Sequence, residues 1–370
     1  MAYPARRVLL CLPPARTSNE VELFRAMPDT ELTVVSDGDG RGSDRHIVLP
    51  AGRVPYVGSP EGWTAAPAWL RGLRRLEPGP VDVVVSLELL SVGSWQASQL
   101  ARRLGVPHVV CTFEVLASMP LYRLPPWRQI TRRIVASADL FVCFSDLSRR
   151  HALALGCPPA RCVTVHPGVD TQLFRPADGG RPDRSAVLFV GMLRANRGCD
   201  KGVRDIVEAC ARLSAEDPRL GLALVGDGHL RPELTERAVR QPFLEVVGRL
   251  PRPQVAARMR GADVLVLASR RTWKWEEQFG FVLVEAMASG LPVVGTRSGA
   301  IPEIVPDWNP LVAEGDVDGL ADGIRRALGP DGDDWGRRNR VWVTERFDLQ
   351  RQGRALAEVL SAAVATASRR

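Results

Sequence analysis

Glu277-Gln278-Phe279-Gly280-Phe281-Val282-Leu283-Val284-Glu285-Ala286-Met287-Ala288-Ser289-Gly290, running on into Leu291-Pro292-Val293-Val294-Gly295, is the stretch whose reading decides the fold. An apolar run of strand length precedes it at 264–268, another follows at 292–294, and 280–289 between them has the length and composition of a helix. Strand, loop, helix and strand in that order form a βαβ unit, whose two strands run parallel. The helix then opens at the carboxyl edge of the sheet, where open α/β sheets bind ligands.

Working outward, the same alternation continues. Strands are predicted at 186–190, 222–225 and 244–247, with helices at 203–213, 232–240 and 254–260. An earlier series has strands at 7–12, 32–35, 81–87, 108–111, 140–144 and 162–165, with helices at 65–75, 91–104, 127–136 and 147–155. Between the two series, Phe174-Arg175-Pro176-Ala177-Asp178-Gly179-Gly180-Arg181-Pro182-Asp183 is polar and rich in proline and glycine, as an interdomain linker requires. The expected division is an N-terminal domain at 1–170, a linker at 171–184, a C-terminal domain at 185–345, and a terminal segment at 346–370. A helix at 348–365 in that last segment packs on its own domain or crosses to the first. A chain of 370 residues suits two cores of about 170 to 190 residues each.

Composition narrows the function classes. No apolar run reaches the roughly 18 residues of a membrane span, and the N-terminal stretch lacks a signal-peptide layout, so a cytoplasmic location is expected. The seven cysteines are scattered without a C-x-x-C pair and read as small core residues in a reducing compartment. A net charge of +7 is spread along the chain without a Lys/Arg block interleaved with aromatics, which argues against a nucleic-acid partner. A weak attraction to an anionic membrane surface is the more plausible consequence of that charge.

At the start of the 280–289 helix the amides of Phe279, Gly280 and Phe281 are expected to point outward, and the helix dipole adds positive potential. A diphosphate fits that environment. Glu285, about one turn into the helix, can reach a hydroxyl pair beside the phosphates, such as a ribose diol. Glu277, on the preceding loop, is expected on the other side of the phosphates, where a donor sugar would lie. Carboxylates suit both places because each accepts hydrogen bonds from two hydroxyls. Trp273 and Trp275, on a loop beside this site, are candidates for stacking on a sugar or acceptor.

The segment resembles the paired-glutamate motif of the large retaining GT-B glycosyltransferase family, the glycosyltransferase family 4-like or "glycosyl transferases group 1" proteins, which includes sucrose synthases and phosphatidylinositol mannosyltransferases. The resemblance extends to His166-Pro167-Gly168-Val169-Asp170 with Phe174-Arg175-Pro176, to Gly226-Asp227-Gly228, to Gly248-Arg249-Leu250, and to Ser298-Gly299-Ala300-Ile301-Pro302-Glu303. It implies an α/β fold of the GT-B kind, two Rossmann-like domains facing each other across a cleft. It also assigns Glu277 to the donor sugar and Glu285 to the nucleotide ribose. Gln278, Phe279, Gly280, Phe281, Gly226, Arg249 and Leu250 are the further donor-site positions, and His166 is an acceptor-side candidate.

The sequence departs from the family pattern in places. The family follows its first strand of the second domain with Gly-Arg and then Lys-Gly, two cations that neutralise the diphosphate. Here Met192 follows Gly191, so Lys201 is the expected phosphate lysine, and Arg194 or Arg197 takes the arginine's place. The N-terminal glycine-rich loop is replaced by Pro13-Pro14-Ala15-Arg16-Thr17-Ser18-Asn19. The usual histidine after an N-terminal strand is replaced in Cys111-Thr112-Phe113-Glu114, which makes Glu114 a candidate. The catalytic candidates are thus Glu277, Lys201 and Glu114.

The expected activity is transfer of a sugar, with retention, from a UDP- or GDP-linked donor to an acceptor hydroxyl. The acceptor is a small molecule or a lipid-linked glycan. Neither a cofactor nor a metal is expected, since no Asp-x-Asp follows a strand in position to hold an ion. Two other readings share the fold: a nucleotide-sugar epimerase, which would convert donor without an acceptor, and a non-catalytic nucleotide-sugar binding protein. A dinucleotide-dependent oxidoreductase is disfavoured because no G-x-G-x-x-G follows the first strand of either series.

Overall fold

Near-continuous runs of valine, leucine and isoleucine, buried on both faces, are the material of parallel sheets, and the computed structural model has two of them. It describes residues 6–13, 19–38, 45–53, 68–116, 120–178, 186–196 and 199–369. The 14–18 loop, Arg197 and residues 179–185 of the expected linker lie outside these. The chain divides into two units, one of Met1–Gly168 with Leu349–Arg370, the other of Val169–Asp348.

In the first unit the strands are β1 (Arg6–Cys11), β2 (Thr30–Ser36), β3 (Arg45–Val48), β4 (Val83–Leu87), β5 (His108–Thr112), β6 (Leu140–Cys143) and β7 (Cys162–Thr164). They pair in parallel in the order β3-β2-β1-β4-β5-β6-β7. The second sheet consists of β8 (Ala186–Val190), β9 (Gly221–Val225), β10 (Leu244–Gly248), β11 (Val264–Leu267), β12 (Val293–Thr296) and β13 (Leu311–Val312). Its order is β10-β9-β8-β11-β12-β13, again parallel. In each sheet the chain winds outward one way from its first strand and then returns to wind the other way. The reversal falls between β1 and β4 in the first sheet and between β8 and β11 in the second, which opens a crevice beyond the carboxyl ends of those strands.

Twelve helices join the described strands: α1 (Asn19–Arg25), α2 (Val92–Leu104), α3 (Trp127–Ser137), α4 (Asp146–Ala154), α5 (Val203–Glu216), α6 (Arg231–Arg240), α7 (Arg252–Arg260), α8 (Phe281–Ala288), α9 (Ile301–Ile304), α10 (Val317–Leu328), α11 (Asp331–Arg346) and α12 (Leu349–Ala367). Most are amphipathic, but α8 is apolar nearly all round and buries Leu283, Val284, Ala286 and Met287 in the core of the second unit. A helix of that composition has to be interior. The final helix, α12, belongs to the first unit and packs on α1, with Gly353 against the Ala26 carbonyl.

One predicted helix is absent. Within 65–75 the described residues form a short strand, Ala68–Leu70, antiparallel to Ala51–Arg53, and then a 3-10 turn at Leu73–Arg75. Gly72, at φ 87°, interrupts the helical path, so Leu70 and Leu73 enter the core from a strand end and a turn. All seven cysteines are buried and unpaired. None of the described helices is long and apolar enough to cross a membrane.

Candidate active site

The crevice of the second sheet is built by two close passes of backbone. Beyond β8 the chain runs through Gly191 and Arg194 into a small antiparallel hairpin, Ala195–Asn196 with Cys199–Asp200, and returns so that the Lys201 amide donates to the Arg194 carbonyl at 3.1 Å. The lengthened loop therefore brings Lys201 back beside Arg194. At Gly202, with φ 65°, a Cβ would stand 1.9 Å from the Ala268 carbonyl oxygen, so only glycine lets the chain lie against the end of β11. That contact sets Lys201 next to Ser269.

Glu277 is fixed from the other side. Gly299, with φ 53°, packs on it so tightly that a Cβ would lie 2.0 Å from the Glu277 carbonyl oxygen, and the Ala300 amide donates to the same oxygen at 2.9 Å. The Glu277 carboxylate then accepts from Lys201 Nζ at 2.7 Å and from Ser269 Oγ at 2.7 Å, both on Oε2. The lysine and glutamate side chains are only 13% and 8% exposed. The Trp275 ring lies 4.6 Å from Lys201 Nζ, close enough to attract the ammonium. An ammonium has three donors; among the described residues Lys201 Nζ hydrogen-bonds Glu277 alone, which leaves donors for an anionic ligand.

Helix α8 begins at Gly280, which caps it at φ 86° and whose amide makes no backbone hydrogen bond among the described residues. Phe279 is a buried anchor, its ring 5.0 Å from that of Phe281 and 5.9 Å from that of Phe347, so its side chain belongs to the core. Gln278 and Phe281 are half-buried. Glu285, in the second turn, is buried and accepts from Arg252 Nη2 at 3.1 Å. Of the remaining donor-site candidates, Gly226 follows β9 and donates its amide to the Gly248 carbonyl at 2.9 Å, Arg249 is exposed, and half-buried Leu250 packs on the core.

Burial pushes the Glu285 carboxyl up to about 7 from its ordinary 4.5, against the opposing pull of Arg252. The folded protein therefore holds this proton more tightly than the unfolded chain does. Its contribution to stability is complete below pH 4.5 and is lost as pH rises through about 7. Glu285→Gln, which cannot ionise, is expected to flatten the fall in Tm across that window. Superimposable Tm–pH curves for the two proteins would contradict the raised carboxyl.

The tryptophan loop is closed by Thr272, whose amide donates to the Trp275 carbonyl and whose hydroxyl accepts from the amides of Lys274 and Trp275. Trp275 is half-buried, while Trp273 is 56% exposed with Lys274 Nζ 4.2 Å from its ring centroid. Sequence reasoning missed Ser269 and Arg252 on this side. It also missed Glu276, a buried carboxyl raised by desolvation and opposed by Arg271 at 3.5 Å. Ser269 carried one available signal, a polar residue directly after an apolar strand.

Glu114 and His166 belong to the first unit. Glu114 is buried, and half-buried His166 shares a 3.3 Å hydrogen bond between Nδ1 and the Phe144 carbonyl. A residue that the sequence did not single out organises this edge. Glu88, immediately after β4 where the first sheet's winding reverses, is buried and held at φ 75°. It accepts from Thr112 Oγ1 at 2.9 Å and from the Phe113 amide at 3.3 Å, and Thr112 Oγ1 in turn accepts from the Glu114 amide at 3.1 Å. A non-glycine residue at positive φ is strained, and such strain gathers at functional sites. Among the described residues no group of three His, Cys, Asp or Glu side chains is placed to hold a metal.

Comparison with known proteins supplies the family. Residues 184–329 match the model described as "Glycosyl transferases group 1", and residues 17–168 match that of a "Glycosyl transferase 4-like domain". The D-inositol 3-phosphate glycosyltransferase of Actinosynnema mirum is 33% identical over 352 residues, covering 85% of this chain and 81% of its own. An enzyme of the same name, numbered 2, from Catenulispora acidiphila is 31% identical, covering 78% and 72%. Among solved structures, sucrose-phosphate synthase from Thermosynechococcus elongatus has a TM-score of 0.75 at 20% identity, covering 98% of this chain and 100% of its own. Anabaena HepE in complex with UDP has a TM-score of 0.74 at 18% identity, covering 96% and 100%. The parallel α/β units, the matched family models and relatives that align over most of their length agree: the chain belongs to the glycosyl transferases group 1 family and is a GT-B glycosyltransferase.

Proposed function

We propose that this enzyme moves a sugar, with retention of anomeric configuration and without a divalent ion, from a nucleoside diphosphate sugar to an acceptor hydroxyl. The observation that carries the proposal is the buried Lys201–Glu277–Ser269 cluster at the point where the second sheet's winding reverses, beside the open amide of Gly280. As the bond between the sugar's anomeric carbon and the diphosphate oxygen breaks, negative charge collects on the leaving diphosphate. Lys201, the amides that open α8 and Arg194 are the groups assigned to hold that charge. Glu277, already fixed by Ser269 and by Gly299, is assigned to the donor sugar hydroxyls, and Glu285 to the ribose.

A UDP-linked donor is the first choice, because the fold neighbour HepE is described in complexes with UDP and with UDP-glucose. A GDP-linked donor is the second. The relatives named for D-inositol 3-phosphate put cyclitols and their phosphates first among acceptors, with lipid-linked glycans next. Glu114 keeps its catalytic assignment, His166 in the first unit and Trp273 and Trp275 in the second are each assigned to contact with the acceptor, and a cytoplasmic location is part of the proposal.

The test is a panel of UDP- and GDP-sugars screened by thermal shift, followed by turnover with cyclitol acceptors in the presence of EDTA. Stabilisation by one donor, EDTA-insensitive product and an anomeric signal of unchanged configuration by NMR are expected. Conversion of the donor with no acceptor present would point to an epimerase instead, and binding without turnover on any acceptor would contradict catalysis.

A further inference from the structure

Arg252 opens α7 between two prolines, Pro251 and Pro253, that fix the backbone of the first helical turn. Its guanidinium carbon lies 5.4 Å from the centroid of the Phe174 ring, and one of its five donors, Nη2, reaches Glu285 Oε1 at 3.1 Å. Guanidinium and carboxylate commonly meet through two parallel hydrogen bonds. This pair uses one: among the described residues, buried Arg252 Nε has no hydrogen-bond partner and neither has Glu285 Oε2. The carboxylate is thus held at one oxygen and left open at the other. The full fork would have occupied both.

We propose that Arg252 is a positioning residue for donor recognition: it pins Oε1 of Glu285 and so reserves Oε2, as a charged acceptor, for the hydroxyls of the nucleotide ribose. The inference rests on the donor reading above. Hydroxyls donate more strongly to an ionised carboxylate than to a neutral acid, so keeping Glu285 ionised matters. Burial drives that carboxyl toward protonation, and Arg252 is the charged group that opposes it. Another cation at α8, Arg340 from α11, is engaged at its far end, where it donates to the Ala288 carbonyl.

The test measures the affinity of UDP and GDP by calorimetry between about pH 6 and 8.5 for wild type, Arg252→Ala, Arg252→Lys and Glu285→Ala. Arg252→Ala is expected to weaken binding about tenfold at pH 7 and to move the midpoint of the pH profile upward relative to wild type with the same nucleotide. Arg252→Lys, which restores the charge, is expected to return the midpoint to near wild type. In turnover the donor KM should rise while kcat changes little. If Glu285→Ala binds both nucleotides as wild type does, the donor assignment itself is wrong. If Glu285→Ala weakens binding while Arg252→Ala keeps wild-type affinity and midpoint, the role of Arg252 is overturned. Should Arg252→Ala fail to fold, Arg252→Gln keeps the stem and a polar tip without the charge, and an unmoved midpoint there overturns the inference equally.

Discussion

Lys201→Ala is expected to lower kcat by about a thousandfold, the scale lost when a preorganised donor to a developing anion is removed. It is also expected to cost about 3 kcal/mol of stability, because it strands the Glu277 carboxylate in a site where that side chain is 8% exposed. Among the described residues Ser269 Oγ would remain as its one side-chain partner, and a hydroxyl does not balance a charge. The two effects separate in a double variant. Lys201→Ala with Glu277→Gln should regain most of the stability in urea unfolding, since no unpaired charge is left, and none of the turnover. A double variant as active as wild type would show that neither group handles the leaving diphosphate or the donor sugar.

Gly202→Ala carries the second large effect, and its cause is backbone geometry. The added methyl would be forced to within 1.9 Å of the Ala268 carbonyl oxygen at a φ of 65°. The loop must therefore lift away from β11 and take Lys201 with it, out of reach of Glu277. A loss of about 3 kcal/mol or more in urea unfolding is expected, together with near-complete loss of turnover. Gly156→Ala is the control. That glycine also has positive φ, at 92°, but a Cβ there meets nothing within 4 Å, so about 1 kcal/mol is expected and no change in kcat. Equal costs at the two positions would mean that conformational strain, not the approach of Gly202 to Ala268, sets the loop.

Much of the architecture was readable because the strands are short, apolar and separated by helices of ordinary length. The run at 264–268, the helix at 280–289 and the strand at 292–294 correspond to β11, α8 and β12 within a residue or two. What escaped has physical reasons. The helices α10 and α11 were not predicted: Asp318, Gly319, Asp322 and Gly323 interrupt the pattern of the first, and the glycine- and aspartate-rich 329–334 run covers the start of the second, residue types that signal turns. The strands β3 and β13 are edge strands of four and two residues, too short to show a period. The false helix at 65–75 failed at Gly72, whose conformation no spacing rule reveals.

The site was readable one residue at a time and less so as a set of partners. Glu277 and Glu285 stood out by their motif and Lys201 by its glycine. The contact between Lys201 and Glu277 spans 76 positions and that between Arg252 and Glu285 spans 33, and separations of that size become contacts only when the sheet order is known. Glu88 gave no signal, since a glutamate at positive φ looks in sequence like any other glutamate. Its hydrogen bonds to Thr112 and Phe113 show that the first sheet's crevice is organised by a group that replaces nothing in the motif pattern.

The most direct test of the proposed donor site is a crystal structure of the enzyme soaked with UDP. The pyrophosphate is expected within hydrogen-bonding distance of the Gly280 amide and Lys201 Nζ, with a ribose hydroxyl on Glu285 Oε2. A nucleotide bound away from the start of α8, with Lys201 and Glu277 still paired as they are without it, would contradict the assignment.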